Sequence, residues 1–347
     1  MEAVAKAHTN IALIKYWGKR DEELFLPMNS SLSITLDKFY TTTAVEFCSC
    51  LKEDIFILNG ERASEAETRK ITRFLDKIRE KSGKQFYAIV DSTNKVKTAA
   101  GFASSASGYA ALATAAANAL DVELDNRELS MLARQGSGSA TRSIYGGFVE
   151  WQKGEKSDGS DSFAVPILDA EEWDLSILSV LIKGDEKKVL SREGMRRTVE
   201  TSPFYAGWLQ TVEDDLIQAK EAIHKRDFEQ LGMVLEYNGL KMHGTILGAK
   251  PPFWYWQSGT LTVMEEVQRL RENGIEAYFT IDAGPNVKVI CERKNEDKVE
   301  QYLSTIPEVE DVIVCHPGPG VELLNEEDYF FETNRYHNPS CYHYQLL

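Results

Sequence analysis

Three charged side chains stand where strands or tight turns would end, each among small or apolar neighbours. Asp282 closes the apolar run 278–281 and opens the turn Asp282-Ala283-Gly284-Pro285-Asn286. Lys15 ends an alternating segment, Ile11, Leu13, Lys15, and is followed by Tyr16-Trp17-Gly18-Lys19. Arg142 lies inside GSGSATRSIYGG, residues 136–147. An aspartate at a strand end is most often a turn or cap residue. Delivered to a cleft, it can take or orient the proton of a substrate hydroxyl. A lysine there is either a snorkelling side chain or a compact point charge for phosphate. The arginine fork can hold a carboxylate or phosphate through two parallel hydrogen bonds.

A fourth segment, TAAGFASSASGYAAL (98–112), has almost no side-chain bulk. It runs into an apolar segment that reads as a helix over 107–120. Free N–H groups and the positive dipole end of such a helix suit an anion such as a triphosphate. Close helix packing explains the same composition, and the run alone does not separate the two. It is neither the Walker pattern, since no Lys follows the glycines, nor the dinucleotide fingerprint.

The elements that must position these residues follow from periodicity. Residues 41–47, 55–58, 86–91, 146–151, 175–182, 278–281 and 287–291 read as strands, with an Asn59-Gly60 turn after the second. Apolar spacing predicts helices over 65–81, 129–134, 211–224, 228–239 and 261–273, with Gly274 stopping the fifth, and the segments 298–306 and 312–315 and the GPGVEL turn close the fold. Residues 153–161 form a polar turn and 183–191 a charged loop. The change from strands to helices places a domain boundary near 185, giving domains 1–185 and 186–331. Residues 332–347 read as an unstructured or artificial tail.

The chain has 347 residues, enough for two domains, and a net charge of −15. That balance argues against nucleic acid and anionic membrane surfaces as partners. An anionic substrate requires local basic clusters, and Lys15, Lys19 and Arg20 supply one. Five cysteines at irregular spacing read as reduced thiols rather than a zinc site. No run approaches the roughly 18 apolar residues of a membrane span, so a soluble, cytoplasmic protein is expected.

Taken together and in order, NIALIKYWGK (10–19), PMNSSLSITL (27–36), GFASSAS, GSGSATRS with GGFVEW, and DAGPN resemble the diphosphomevalonate decarboxylases of the GHMP small-molecule kinase superfamily. The match extends through Leu324. The resemblance implies an α+β fold of two domains, ribosomal-protein-S5-like then ferredoxin-like, with the active site in the cleft between them. It implies ATP-dependent decarboxylation of (R)-5-diphosphomevalonate, with Mg²⁺ and a homodimer. Asp282, Arg142 and Lys15 would be catalytic. Tyr16, Trp17, Gly18, Lys19, Arg69, Ser137, Gly138, Ser139, Ala140, Thr141, Arg142 and Thr201 would line the substrate site. ATP would meet Asn94, Gly101, Ala103, Ser104, Ser105, Ser107, Lys187 and Ser191, with Ser105 and Ser191 near the metal. Phe102 and Lys97 stand where the family more often has leucine and proline. The alternatives are a superfamily kinase that phosphorylates a related alcohol without decarboxylation, and a catalytically idle paralogue.

Overall fold

The computed structural model describes residues 1–95, 104–184, 188–325 and 328. Gly101, Ala103 and Lys187, the departures Lys97 and Phe102, and the tail 332–347 therefore lie outside the described residues.

Two sheets organise the chain. The first is built on two long strands, β1 (Glu2–Ile14) and β4 (Ser31–Cys48), which pair antiparallel; between them in the chain lies a separate hairpin of β2 (Lys19–Asp21) and β3 (Leu26–Pro27). The β1–β4 pairing runs from Glu2↔Glu46 to His8↔Tyr40, shifts, resumes at Asn10↔Thr35 and shifts again between Ala12 and Ile14. The first shift leaves a stretch of β4, residues 36–39, outside the pairing. The chain docks into it much later: Leu36 bridges Pro317, and the Asp37 N–H donates to the His316 carbonyl at 3.0 Å. The expected strand 41–47 is thus one end of an 18-residue element.

The sheet is completed by β5 (Ile55–Leu58), β6 (Glu61–Arg62), β7 (Tyr87–Asn94), β8 (Phe148–Trp151), β9 (Ala164–Leu168) and β14 (Glu322–Leu324). Its order is β14-β1-β4-β7-β5-β6, with β8 on β4 and β9 on β8. Strand β8 starts two residues later than the sequence suggests. Gly147 there has φ 64°, and a Cβ on it would sit 2.2 Å from the Leu168 carbonyl oxygen.

Helix α1 (Glu65–Ser82) starts at a Ser64–Glu67 capping box and ends at Gly83 with φ 69°. Helix α2 (Ser104–Ala119) begins three residues earlier than expected. Its alanines bring it close over the sheet, where Ala110, Ala113 and Ala115 are fully buried with Val45 and Val90. The packing explanation of the small-residue run therefore holds for the body of the helix. Helix α3 (Asn126–Arg134) follows.

The second sheet has order β11-β12-β10-β13, from β10 (Leu175–Ile182), β11 (Ala277–Ile281), β12 (Val287–Glu292) and β13 (Val309–Cys315). Strand β10 lies ahead of residue 185 yet is the inner partner of β12 and β13. Helices α7 (Ser258–Glu272) and α8 (Glu296–Leu303) cover one face. Helices α5 (Tyr205–Lys225) and α6 (Phe228–Leu247) cover the other and pack also on Ile11, Leu13 and Ile14 of β1. One continuous core thus joins the two sheets. Helix α4 (Ser191–Thr201) grows out of the charged segment, where no helix was expected.

Cys48 and Cys50 are bonded, against the expectation of reduced thiols; the turn after β4 brings their Cα atoms to 5.4 Å. Cys291 and Cys315 are free and buried. Among the described residues no helix is long and apolar enough to cross a membrane.

Candidate active site

Lys15 leaves β1 at the seam between the sheets, and its backbone is pinned from both sides. Its N–H donates to Asn238 Oδ1 on α6 at 2.8 Å, and its carbonyl accepts from Asn29 Nδ2 at 2.8 Å. Asn238 is oriented in turn by Asp215, which Lys241 neutralises at 2.6 Å. The side chain is 2% exposed, and Nζ donates to Asp282 Oδ1 at 2.6 Å and to the Ala12 carbonyl at 2.9 Å. Asp282 arrives from the end of β11 and keeps 39% of its side chain exposed, on the cleft. Burial works to raise its pKa, but the cations around it, Lys15 first, outweigh burial and leave the carboxyl below its usual value. Burial lowers the Lys15 pKa, and Asp282 opposes that shift.

Arg142 sits in the 3-10 turn Gly138–Ile144 and is 2% exposed. One Nη donates to Ser31 Oγ at 2.6 Å and the other to Asn10 Oδ1 at 3.2 Å. Asn10 is itself fixed by Ser139 O and Ser143 Oγ. Arg142 Nε has no hydrogen-bond partner, and among the described residues no carboxylate lies within ion-pair distance of the guanidinium. Burial pulls its pKa down to about 10, so it is a full cation at neutral pH. A buried, under-partnered cation at a cavity wall is a site for an anion.

Both groups face one cavity of about 930 Å³. Tyr16, Trp17 and Lys19 form one wall. The Tyr16 ring packs at a tilt against Trp151, centroids 4.8 Å apart, and its buried hydroxyl has no hydrogen-bond partner among the described residues. Lys19 Nζ pairs with Glu22 at 2.5 Å and lies over the Phe25 ring at 4.3 Å. Ser104 and Ser105, at the N-terminus of α2, form a second wall with Ser137, Gly138 and Ser139. Ser137 Oγ donates to Ser105 Oγ at 3.3 Å, so the two small-residue segments meet. Ser191 and Arg192 close the cavity from the N-terminus of α4.

A smaller cavity of about 240 Å³ shares Ser104 and Ser105. Phe56, Ile71 and Tyr109 make it apolar, and Asn94 and Lys70 stand at its edge.

Several expected site residues do not line the cavity. Gly18 lies behind it: φ is 113°, and a Cβ would meet Tyr205 Oη at 1.9 Å. Ala140 and Thr141 are fully buried behind the turn, Thr141 Oγ1 donating to Gly138 O. Ser107 is buried under α2 against Thr41 and Thr9. Arg69 is on the outer face of α1, paired with Glu65, with a 57% exposed side chain. Thr201 ends α4, ten residues from Ser191 and so about 15 Å along the helix, where it accepts from the Lys250 N–H.

Arg192 and Phe25 were not foreseen. Arg192 lies 5.4 Å from the Phe25 ring that Lys19 also covers. No motif marks either residue; the only sequence hint was the basic character of the segment after Lys187.

Comparison with known proteins matches this geometry to a family. Residues 7–164 match the diphosphomevalonate decarboxylase-like N-terminal domain and 177–327 the mevalonate 5-diphosphate decarboxylase C-terminal domain. The diphosphomevalonate decarboxylase of Homo sapiens is 37% identical over 319 residues, covering 86% of this chain and 78% of that protein. Mevalonate diphosphate decarboxylase from Staphylococcus aureus superposes with a TM-score of 0.89 at 49% identity, covering 93% of this chain and 98% of that one. A structure of MDDEF in complex with MVAPP, AMPPCP and magnesium superposes at 0.88 with 52% identity, over 94% and 99% of the two chains. With both halves matched in order and the paired lysine and aspartate on a shared cavity, the chain belongs to the diphosphomevalonate decarboxylase family.

Proposed function

We propose that the protein is an ATP-dependent decarboxylase that converts (R)-5-diphosphomevalonate to isopentenyl diphosphate, ADP, phosphate and CO2 in the mevalonate route to isoprenoids. The observation that carries this reading is the 2.6 Å Lys15–Asp282 pair on the same cavity as the under-partnered Arg142. A base and an anion clamp on one cavity suit a substrate with a hydroxyl to phosphorylate and a carboxylate to lose.

Asp282, held ionised by Lys15, orients or deprotonates the tertiary 3-hydroxyl. The hydroxyl oxygen then accepts the phosphoryl group as its bond to ADP breaks. When the carbon's own C–O bond then breaks, its electron pair leaves with phosphate, and positive character develops at the carbon. The Asp282 carboxylate, having passed any proton it took to the departing phosphate, stabilises that charge. The bond to the carboxylate supplies the electrons of the new double bond, and CO2 departs. Arg142 and Lys19 hold the anionic groups of the substrate, with Tyr16, Trp17, Ser137 and Ser139 around it.

ATP fits the second wall. Ser104 and Ser105 open α2 on the cavity wall, and the first turn of a helix, whose N–H groups have no carbonyl partner within it, suits phosphate. In this reading the base occupies the smaller cavity, which Asn94 helps to line. Gly101, Ala103 and Lys187 remain part of the proposed nucleotide site, and Ser191 approaches from α4. The hydroxyls of Ser105 and Ser191 are hard oxygen donors of the kind magnesium takes. Bound there with the phosphates, Mg²⁺ supplies charge neutralisation during transfer.

A cytoplasmic location and a homodimer belong to the same reading; light scattering tests the dimer. The central test is to incubate the protein with ATP, Mg²⁺ and diphosphomevalonate and measure ADP and CO2 together. Equal release is expected. ADP without CO2 would make the protein a kinase, and neither product would leave an idle paralogue.

A further inference from the structure

A second lysine is buried beneath the floor of the cavity. Lys288 lies within β12, 1% exposed, and its Nζ donates to Ser179 Oγ on β10 at 2.9 Å. Burying an ammonium group is costly, and the chemistry above gives it no part.

The strand register brings it toward Asp282. Thr280 pairs with Lys288 and Ile281 with Val287, so Lys288 shares the Thr280 face at the strand ends from which Asp282 leaves. A residue two positions along from a direct cross-strand pair sits about 7–8 Å away, a separation that a lysine side chain spans. Helix α6 covers this face and presents Gly239 to it. A Cβ there would lie 3.1 Å from Thr280 Oγ1 and 3.8 Å from Lys15 Cε. Lys15, Thr280 and Lys288 therefore share one buried polar seam under Asp282, Lys15 entering from β1 and Lys288 from the sheet.

We propose that Lys288 is a positioning residue of the decarboxylase, a second cation that acts on Asp282 from beneath and holds its carboxylate in the charged form. This rests on the reading of Asp282 as the group that acts on the substrate hydroxyl. The charged and titratable groups facing Asp282 are Lys15 after β1, Lys288 on β12, His243 on α6 and Arg142 in the 3-10 turn. Burial holds His243 down at about 4, so it is neutral near pH 7 and contributes little charge. Burial lowers Lys288 to about 8, with Asp282 opposing, so it remains mostly protonated at pH 7.

The test is the pH profile of kcat/KM, followed by matched ADP and CO2 release, for wild type, Lys288→Met, Lys288→Gln and Lys288→Arg. The acid limb of kcat/KM reports the free enzyme's essential carboxylate. Removing the cation raises the Asp282 pKa, so in the neutral variants that limb should move up by about one pH unit. Lys288→Arg should keep it within a few tenths of a unit of the wild-type position. Lys288→Gln retains a donor for Ser179 and serves if the methionine variant does not fold. An unmoved acid limb in a folded neutral variant, with only a lower melting temperature or an even loss of rate, would overturn the proposal. Wild-type enzyme that releases no CO2 would instead sink the assigned reaction.

Discussion

Lys15 Nζ and Asp282 Oδ1 lie 2.6 Å apart although 267 positions separate them in the chain. The contact needs β1 of the first sheet and β11 of the second to end at one point, which the α5–α6 layer packed on both enforces. The side chains differ in exposure, 2% for the lysine and 39% for the aspartate. The lysine is therefore the fixed partner and the aspartate the one that meets a ligand. Asp282→Asn keeps the shape and removes the charge. Turnover should fall by about 10²–10⁴-fold, the usual contribution of a general base, while ATP affinity measured by calorimetry stays near wild type. A variant with near-normal kcat would remove Asp282 from the chemistry.

Arg142 owes its place to Ser31 and Asn10, both on the long strands of the first sheet. Arg142→Lys keeps a positive charge but cannot span both partners and an incoming anion. Loss of a charged hydrogen-bonded fork costs about 1.5–3 kcal/mol. KM for diphosphomevalonate should rise about 10- to 100-fold, with KM for ATP little changed. Equal increases in both would place Arg142 in general structure rather than at the substrate.

The legible part of the site was its two strand ends and the small-residue turn that holds Arg142. Asp282, Lys15 and Arg142 were readable because each is a charge bracketed by apolar or small residues, a pattern a solvated surface seldom shows. Helical residues were not readable to one position. Arg69 points outward while Lys70, 100° further round α1, stands at the smaller cavity. Arg192 is one of three arginines in α4, and only the docking of that helix selects it. The motif glycines carry a packing role that their spacing did not announce. Gly136 and Gly138 make room for the Tyr109, Tyr16 and Trp151 rings, and Gly138 lines the cavity as well. The fold was legible at the level of strands and amphipathic helices. The return of β14 to β1 was not, because pairing between distant segments leaves no local periodicity.

Gly18 joins the two halves where Tyr205 Oη donates to the Trp17 carbonyl at 2.7 Å. With φ at 113° and a Cβ position 1.9 Å from that hydroxyl, alanine is opposed by both backbone and contact. Gly18→Ala should lose about 1–3 kcal/mol of stability. In the double variant with Tyr205→Phe, relief of the hydroxyl contact should make the two losses less than additive. Urea unfolding of the four proteins measures this cycle. Strict additivity would show that the chain at Gly18 has moved away from Tyr205.

His243 carries a pH prediction for stability. Its ring is 2% exposed, bonds the Ile281 carbonyl oxygen at 3.2 Å and packs on Trp256 at 4.9 Å. Burial holds its folded pKa at about 4, against 6.5 for the free side chain. The unfolded chain therefore binds the proton first as pH falls. The stabilisation is complete above pH 6.5 and is lost progressively toward pH 4, by up to about 1.4 kcal/mol per unit. Between pH 7 and pH 5 this one group should remove about 2 kcal/mol. Burial also lowers His8, which adds loss of the same sign. His243→Gln keeps a donor for Ile281 but does not titrate, so its urea midpoint should start lower at pH 7 and fall less steeply toward pH 5. Parallel slopes in variant and wild type would mean that His243 takes up its proton in the folded protein at an ordinary pH.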